Sequence, residues 1–134
     1  MIKKIRIESK ISSLHIVEKT VDEATSELGI SQECYGKILV SVLEAVNNAI
    51  IHGNKSDPQK FVDIEMSSVN GDMIIKVTDQ GKGFNPKMVP DPTIPENLQE
   101  LNGRGVFLMS RLADKIEYSV QGNMVKMTFN LLKS

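Results

Sequence analysis

Three short stretches of this 134-residue sequence hold side chains whose types and spacing suit chemistry. The first is Glu44-Ala45-Val46-Asn47-Asn48-Ala49-Ile50-Ile51-His52-Gly53-Asn54. Asparagine is a poor helix former because its side chain competes for backbone hydrogen bonds, yet two stand together here in a mainly apolar run. Glu44 and Asn48 are four residues apart, so on a helix both project from one face with roughly 6 Å between their β-carbons. Two oxygen-bearing side chains stacked on a rigid helix can hold a hard cation and orient a hydroxyl or a water. A solvated helix face with incidental polar residues fits the same segment. His52, at the end of the run, suits a helix C-terminus, where a histidine favours the dipole.

The second stretch is Asp79-Gln80-Gly81-Lys82-Gly83-Phe84, directly after an alternating apolar segment. An aspartate at a strand end can accept a hydrogen bond from a ligand amine, and the glycines let the backbone approach closely. A tight strand-to-loop turn favours the same residues. A dinucleotide-binding glycine fingerprint fails, because Pro86 stands where the third glycine would be. The third stretch is Asn102-Gly103-Arg104-Gly105. Free amides at a helix start attract phosphate, and Arg104 adds a charge-assisted contact. The alternative is a hinge with a solvated arginine. No Gly-x-x-x-x-Gly-Lys-Ser/Thr string exists, which excludes a P-loop.

The elements that must position these residues follow from periodicity. Residues 2–8 alternate as a half-buried strand does, with Ile5 and Ile7 on one side. Leu14, Val17, Val21, Ala24 and Leu28 mark a helix over 13–28, which Gly29 ends. Ser31 caps a second helix over 32–52, stopped by Gly53. Segments 61–67 and 73–78 flank Asn70-Gly71-Asp72, a strong hairpin signal. A third helix is expected over 105–115, followed by a hairpin of 116–120 and 124–132 around Gln121-Gly122-Asn123. Segregated helices and neighbouring antiparallel strands predict an α+β two-layer sandwich. Segment 85–102 holds four of the five prolines and little periodicity. Loops of that length inside compact domains usually act as lids or binding loops.

Composition narrows the function classes. Apolar residues make up 40% of the chain, enough for one ordinary core over residues 1–134 without a metal or disulfide staple. Sixteen basic residues against seventeen acidic ones argue against direct nucleic-acid binding held mainly by phosphate contacts. The lone Cys34 excludes an internal disulfide and fits a reducing compartment. No apolar run is seen to approach the ~20 residues of a membrane span, and no hydrophobic segment follows Lys3, Lys4 and Arg6 as in a signal peptide. These features predict a soluble, cytoplasmic, single-domain protein with no membrane partner. The seven methionines read as core filler, with Met66, Met73, Met124 and Met127 in expected strands.

Each stretch is weak alone, but their order is specific: a helical Glu-x-x-x-Asn, Asp-x-Gly-x-Gly after a strand, a proline-rich segment, then Gly-x-Gly opening a helix. This combination closely resembles the GHKL or Bergerat-fold ATPases, the family of gyrase, MutL and histidine kinases, from about residue 10 to the C-terminus. The string Glu-Ala-Val-x-Asn-Ala-Ile-Ile-His-Gly and the short chain look like the anti-sigma factor serine/threonine kinases within it. The resemblance implies a mixed, mostly antiparallel sheet covered on one face by helices, with ATP and Mg²⁺ as cofactors. It implies Glu44 as general base toward a partner hydroxyl, Asn48 as the Mg²⁺ ligand beside the phosphates, and Asp79 on the adenine amine. Gly81 and Gly83 would shape the adenine pocket, Gly103, Arg104 and Gly105 would meet phosphate, and 85–102 would close as a lid. It implies a sigma factor or a small STAS-type anti-anti-sigma protein as partner, a homodimer, and transfer of the γ-phosphate to that antagonist. The alternative within the fold is a partner-switch binding module without phosphotransfer. One position departs from the family, whose members commonly carry Gly-Thr where this chain has Gly122-Asn123.

Overall fold

The structure, a computed structural model, describes residues 2–81, 112–119 and 123–131. Strand β1 (Ile2–Glu8) leads through a short 3-10 turn, Ile11–Ser13, into helix α1 (Leu14–Glu27). Val17, Val21, Ala24 and Thr25 are its buried positions, the three-and-four spacing that a helix needs to cover a core. Buried Thr25 is satisfied locally, its Oγ1 donating to the Val21 carbonyl at 2.8 Å. Gly29 reverses the chain at φ +63°, a backbone angle that costs glycine little.

Helix α2 (Gln32–Asn48) starts as the sequence predicts, with Ser31 Oγ accepting from the Cys34 N–H at 3.2 Å. Its end differs from the expectation of an ordinary α-helical stop. The backbone runs without a break into a π-helical turn, Ala49–Gly53, closed by the Asn54 N–H donating to the Ala49 carbonyl at 2.8 Å. The continuous helix Gln32–Gly53 is 22 residues long and holds an 18-residue stretch with a mean hydropathy of 1.3, long and apolar enough by those measures to cross a membrane. That corrects the expectation that no stretch approaches such a length. Here its buried residues, among them Ile38, Val42, Val46 and Ile50, face the sheet as the centre of the core.

Strands β2 (Phe61–Val69) and β3 (Asp72–Thr78) form the expected hairpin. Its turn is tighter than predicted: Asn70 and Gly71, at φ 52° and 84°, make it alone, and Asp72 already pairs with Val69. Strand β4 (Lys115–Tyr118) pairs with β5 (Met124–Asn130). Lys115 therefore opens a strand and Ala113 and Asp114 form a bend before it, which corrects the helix expected to reach Lys115; its part over 105–111 lies outside the described residues. Among the described residues the sheet has five strands in the order β1-β2-β3-β5-β4, every neighbour antiparallel. One face, carrying Val62, Ile64, Met66, Met73, Ile75, Val77, Val125, Met127 and Phe129, packs under the helices. Met66, Met73 and Met127 are fully buried, as core filler should be, whereas Met124 is only half-buried. The other face presents Lys4, Arg6, Asp63, Glu65 and Lys76, with Arg6 and Asp63 directly opposed and paired at 2.7 and 3.0 Å. The α+β sandwich covered on one side is the predicted class.

Candidate functional site

Glu44, Asn47 and Asn48 are half-buried on α2, while Val42, Ala45, Val46, Ala49 and Ile50 take the positions turned into the core. Apolar packing on one side thus fixes the helix rotation and leaves Glu44 and Asn48 along the other. Neither side chain has a hydrogen-bond or ion-pair partner among the described residues. A carboxylate and an amide partly withdrawn from water and left unpaired are chemically available.

Asp79 follows the last residue of β3, and its carboxylate is half-buried. Burial raises its pKa above the usual 3.8, against the opposing pull of the Gly81 N–H and of Lys60. Oδ1 accepts from the Gly81 N–H at 2.8 Å, closing a turn on itself. Oδ2 has no protein donor among the described residues. The carboxylate lies against the end of α2: a β-carbon at Gly53 would overlap it, coming to 2.7 Å from Oδ1 and closer still to its other atoms. A β-carbon at Gly81 would in turn overlap the Gly53 carbonyl oxygen. The two glycines exist because helix end and aspartate turn touch backbone to backbone. Gly53, which the sequence offered as a helix stop, is thus a contact residue of the site.

Two asparagines hold this junction. Asn54 is fully buried, its Nδ2 donating to Ser9 Oγ at 2.7 Å and to the Phe61 carbonyl at 2.9 Å. Its Oδ1 accepts from the Gln80 N–H at 2.7 Å, one residue past Asp79. On the other side, the Asp79 N–H donates to the Asn123 carbonyl at 2.9 Å, and Asn123 Nδ2 donates back to the Asp79 carbonyl at 3.4 Å. Asn123 therefore extends the β3–β5 ladder past its last pair, Thr78 and Met124. Gln80 adds a third tie, its Oε1 accepting from the Phe61 N–H at 2.6 Å. None of Gly53, Asn54 or Gln80 stood out in the sequence as a site residue. A polar Gly-Asn-Lys-Ser loop gives no sign that one of its side chains is buried.

His52 is half-buried, and burial chiefly, then Lys55, lowers its pKa below 6.5. It stands in the last turn of the helix, the C-terminal place the sequence gives it. Cys34 is buried. Gly83, Gly103, Arg104, Gly105 and the expected lid 85–102 lie outside the described residues. Among the described residues no group of three or more His, Cys, Asp or Glu side chains gathers as a metal site. That is consistent with Mg²⁺, which usually takes one or two protein oxygens and completes its shell with phosphates and water. The Asn48 amide oxygen is such a donor.

A family model described as the histidine kinase-like ATPase domain matches residues 7–129. The chain belongs to that ATPase family. Among its relatives, an anti-sigma F factor of Clostridium botulinum (strain Alaska E43 / Type E3) is 27% identical over 136 residues, covering 90% of this chain and 95% of that one. An anti-sigma F factor of Anoxybacillus flavithermus is 32% identical over 125 residues, covering 88% of this chain and 77% of its own. The serine-protein kinase RsbW of Oceanobacillus iheyensis is 24% identical over 132 residues, covering 92% and 83%. A crystal structure of the RsbU and RsbW domains of a Mycobacterium tuberculosis protein superposes with a TM-score of 0.72 at 16% identity, covering 98% of this chain and 32% of that one. At that identity the likeness speaks for the ATPase fold alone, and this chain spans about a third of that larger protein.

Proposed function

We propose that this ATPase-family chain is a cytoplasmic anti-sigma regulatory factor with ATP-dependent serine/threonine kinase activity. Its substrate is a small STAS-type anti-anti-sigma protein, and its other partner is a sigma factor. The observation that carries the reading is the continuity of one helix. It bears Glu44 and Asn48, which have no hydrogen-bond or ion-pair partner among the described residues, and ends, through Gly53, on the carboxylate of Asp79. Along the axis, Glu44 and Gly53 are separated by roughly 13 Å. One rigid element thus spaces a proton acceptor and an oxygen donor from an adenine-selective acid, in the order an extended nucleoside triphosphate presents its parts.

In this reading the free Oδ2 edge of Asp79 accepts from the adenine exocyclic amine, with Gly81 and Gly83 admitting the ring. Asn48 holds Mg²⁺ beside the phosphates, where the ion supplies charge neutralisation at the transferring group. Glu44 takes the proton of the partner's serine hydroxyl. As that proton leaves, the serine oxygen bonds to the γ-phosphorus, the bond to the β,γ-bridging oxygen breaks, and ADP departs. Such transfer is positioning and charge stabilisation for the most part. Gly103, Arg104 and Gly105 complete the phosphate contacts in this proposal, and the chain works as a homodimer.

A second reading, a switch that binds its partner without phosphotransfer, is favoured by one feature. Where family members commonly have threonine, the Asn123 amide is spent on the Asp79 carbonyl and its Oδ1 accepts from Ser119 Oγ at 3.1 Å. Incubating the protein with labelled ATP, Mg²⁺ and its cognate STAS protein separates the two. Label on a serine or threonine of the partner is expected; partner binding with no label would leave the switch.

A further inference from the structure

Asn54 lies beyond the residues given chemical roles above, and its surroundings are unusual. It is fully buried in a segment that is otherwise mostly exposed or half-buried. The chain delivers it there by an energetically costly path, since Lys55 and Ser56 both adopt left-handed conformations at φ 56° and 57°. Its amide orientation is unambiguous. One end meets only the donor N–H of Gln80, the other the acceptor carbonyl of Phe61, so oxygen and nitrogen cannot be exchanged. The Ser9 hydroxyl accepts from Nδ2 and donates to the Lys60 carbonyl at 2.8 Å. One side chain therefore ties the end of α2 to the end of β1, the start of β2 and the turn that carries Asp79.

Gln80 is the residue between Asp79 and Gly81, the two that close the aspartate turn. Fixing its N–H fixes where that turn sits over Gly53. We propose that Asn54 is a positioning residue for nucleotide selectivity: it registers the Asp79 carboxylate against the end of α2, so that the acid faces an adenine amine and rejects the 6-oxo group of guanine. This inference rests on the reading of Asp79 as the adenine contact. Without Asn54 the turn keeps its covalent place but loses register, and an acid that wanders by an ångström discriminates poorly.

The test compares ATP and GTP binding by calorimetry in wild type, Asn54→Ala and Val21→Ala. The last variant lowers stability from the α1 side of the core without touching the turn. Exchange of the Gln80 amide is followed in parallel. Asn54→Ala is expected to cut the ATP-over-GTP preference by about 10-fold or more through weaker ATP binding. Its Gln80 amide should exchange at least about 10-fold faster than in wild type. Val21→Ala should keep the wild-type preference. An unchanged preference in Asn54→Ala, or an equal loss in Val21→Ala, overturns the proposal. A wild type that does not prefer ATP removes the adenine reading and the proposal with it. That outcome is distinguishable, because the Gln80 amide would still exchange faster in Asn54→Ala. Should Asn54→Ala not fold, Asn54→Ser keeps a polar group in the buried site but is too short to hold the Gln80 N–H. A smaller loss of preference, about 3-fold or more, is then expected, and no loss overturns the inference.

Discussion

The C-terminal end of α2 and the segment past the π-helical turn both withdraw polar side chains from water, partly or wholly, and they treat them oppositely. Among the described residues Glu44 and Asn48 are half-buried without a hydrogen-bond or ion-pair partner, whereas Asn54 is fully buried with three side-chain hydrogen bonds. A polar group left unsatisfied forfeits stability, and one fully satisfied defines shape. The contrast separates groups kept for a ligand from groups that hold the framework around it. It also forecasts how each should respond to substitution. Changes at Glu44 and Asn48 should move rates and leave folding alone, while changes at Asn54 should move both.

The largest effect is expected at Glu44. Glu44→Gln keeps size and polarity but cannot accept a proton, and a positioned general base contributes roughly 10²–10⁴ in rate. Phosphotransfer to the cognate partner should fall by at least about 10²-fold, with Mg-ATP binding retained. Because no hydrogen bond or ion pair among the described residues is lost, the unfolding free energy should stay within about 0.5 kcal/mol of wild type. A denaturant titration showing a larger loss would mean that Glu44 belongs to the framework after all.

Asp79→Asn sits between the two regimes. Losing a charge-assisted hydrogen bond costs about 1.5–3 kcal/mol, so ATP affinity should drop about 10- to 100-fold. Stability of the free protein should move the other way. The folded state holds the Asp79 proton more tightly than the unfolded chain does, since its pKa is raised above 3.8 by burial. Wild type therefore gives up stability as pH rises through that range and stays lower above it. The variant does not titrate there. Near neutral pH it should melt higher than wild type, by a few degrees at most, and the gap should close as pH falls below the carboxylate range. A gap independent of pH would assign the difference to packing and not to the charge.

Much of this arrangement was legible in the chain, for identifiable reasons. Glu44 and Asn48 could be read because helical spacing is a local property, and so could the Asn70-Gly71 turn, where both residues show the positive φ that the pair favours. The α2 N-terminus was equally local, since Ser31 caps three residues away. What escaped is non-local. Gly53 and Gly81 approach each other across 28 positions of sequence, and Asn54 bonds to Ser9 and Gln80 from opposite directions. The π-helical turn escaped too, because it depends on where the helix end must land against the Asp79 turn. Asn123 was read as a departure from the family; its hydrogen bonds to the Asp79 backbone give it a structural place instead.

Gly53→Ala probes the contact between the two regions directly. The added methyl would overlap the Asp79 carboxylate, which sits on a short side chain and is able to rotate away. The protein should fold, with ATP affinity lowered about 10-fold as the acid leaves its place. Gly81→Ala meets backbone, the Gly53 carbonyl, and has no such escape. It should destabilise by about 2–3 kcal/mol, in the range of overpacked sites. Thermal melts of the pair distinguish the cases, and equal stability losses would show that the Asp79 side chain is as fixed as backbone.

The smallest effect is expected at Lys55, beyond the last side chain that matters to the contrast. Its left-handed backbone, φ 56°, carries a steric penalty that glycine would remove, about 1–2 kcal/mol. Glycine also gains freedom in the unfolded chain, which offsets about 0.5–1 kcal/mol of that. The exposed Lys55 side chain makes no hydrogen bond or ion pair among the described residues. Removing it should also ease His52, whose pKa the lysine helps to lower, so the ring should titrate slightly closer to 6.5. Lys55→Gly should therefore stabilise the protein by less than about 1 kcal/mol and leave the ATP-over-GTP preference unchanged. If the preference fell as far as in Asn54→Ala, the turn itself would be setting the register of Asp79. The asparagine would then be only one of its passengers.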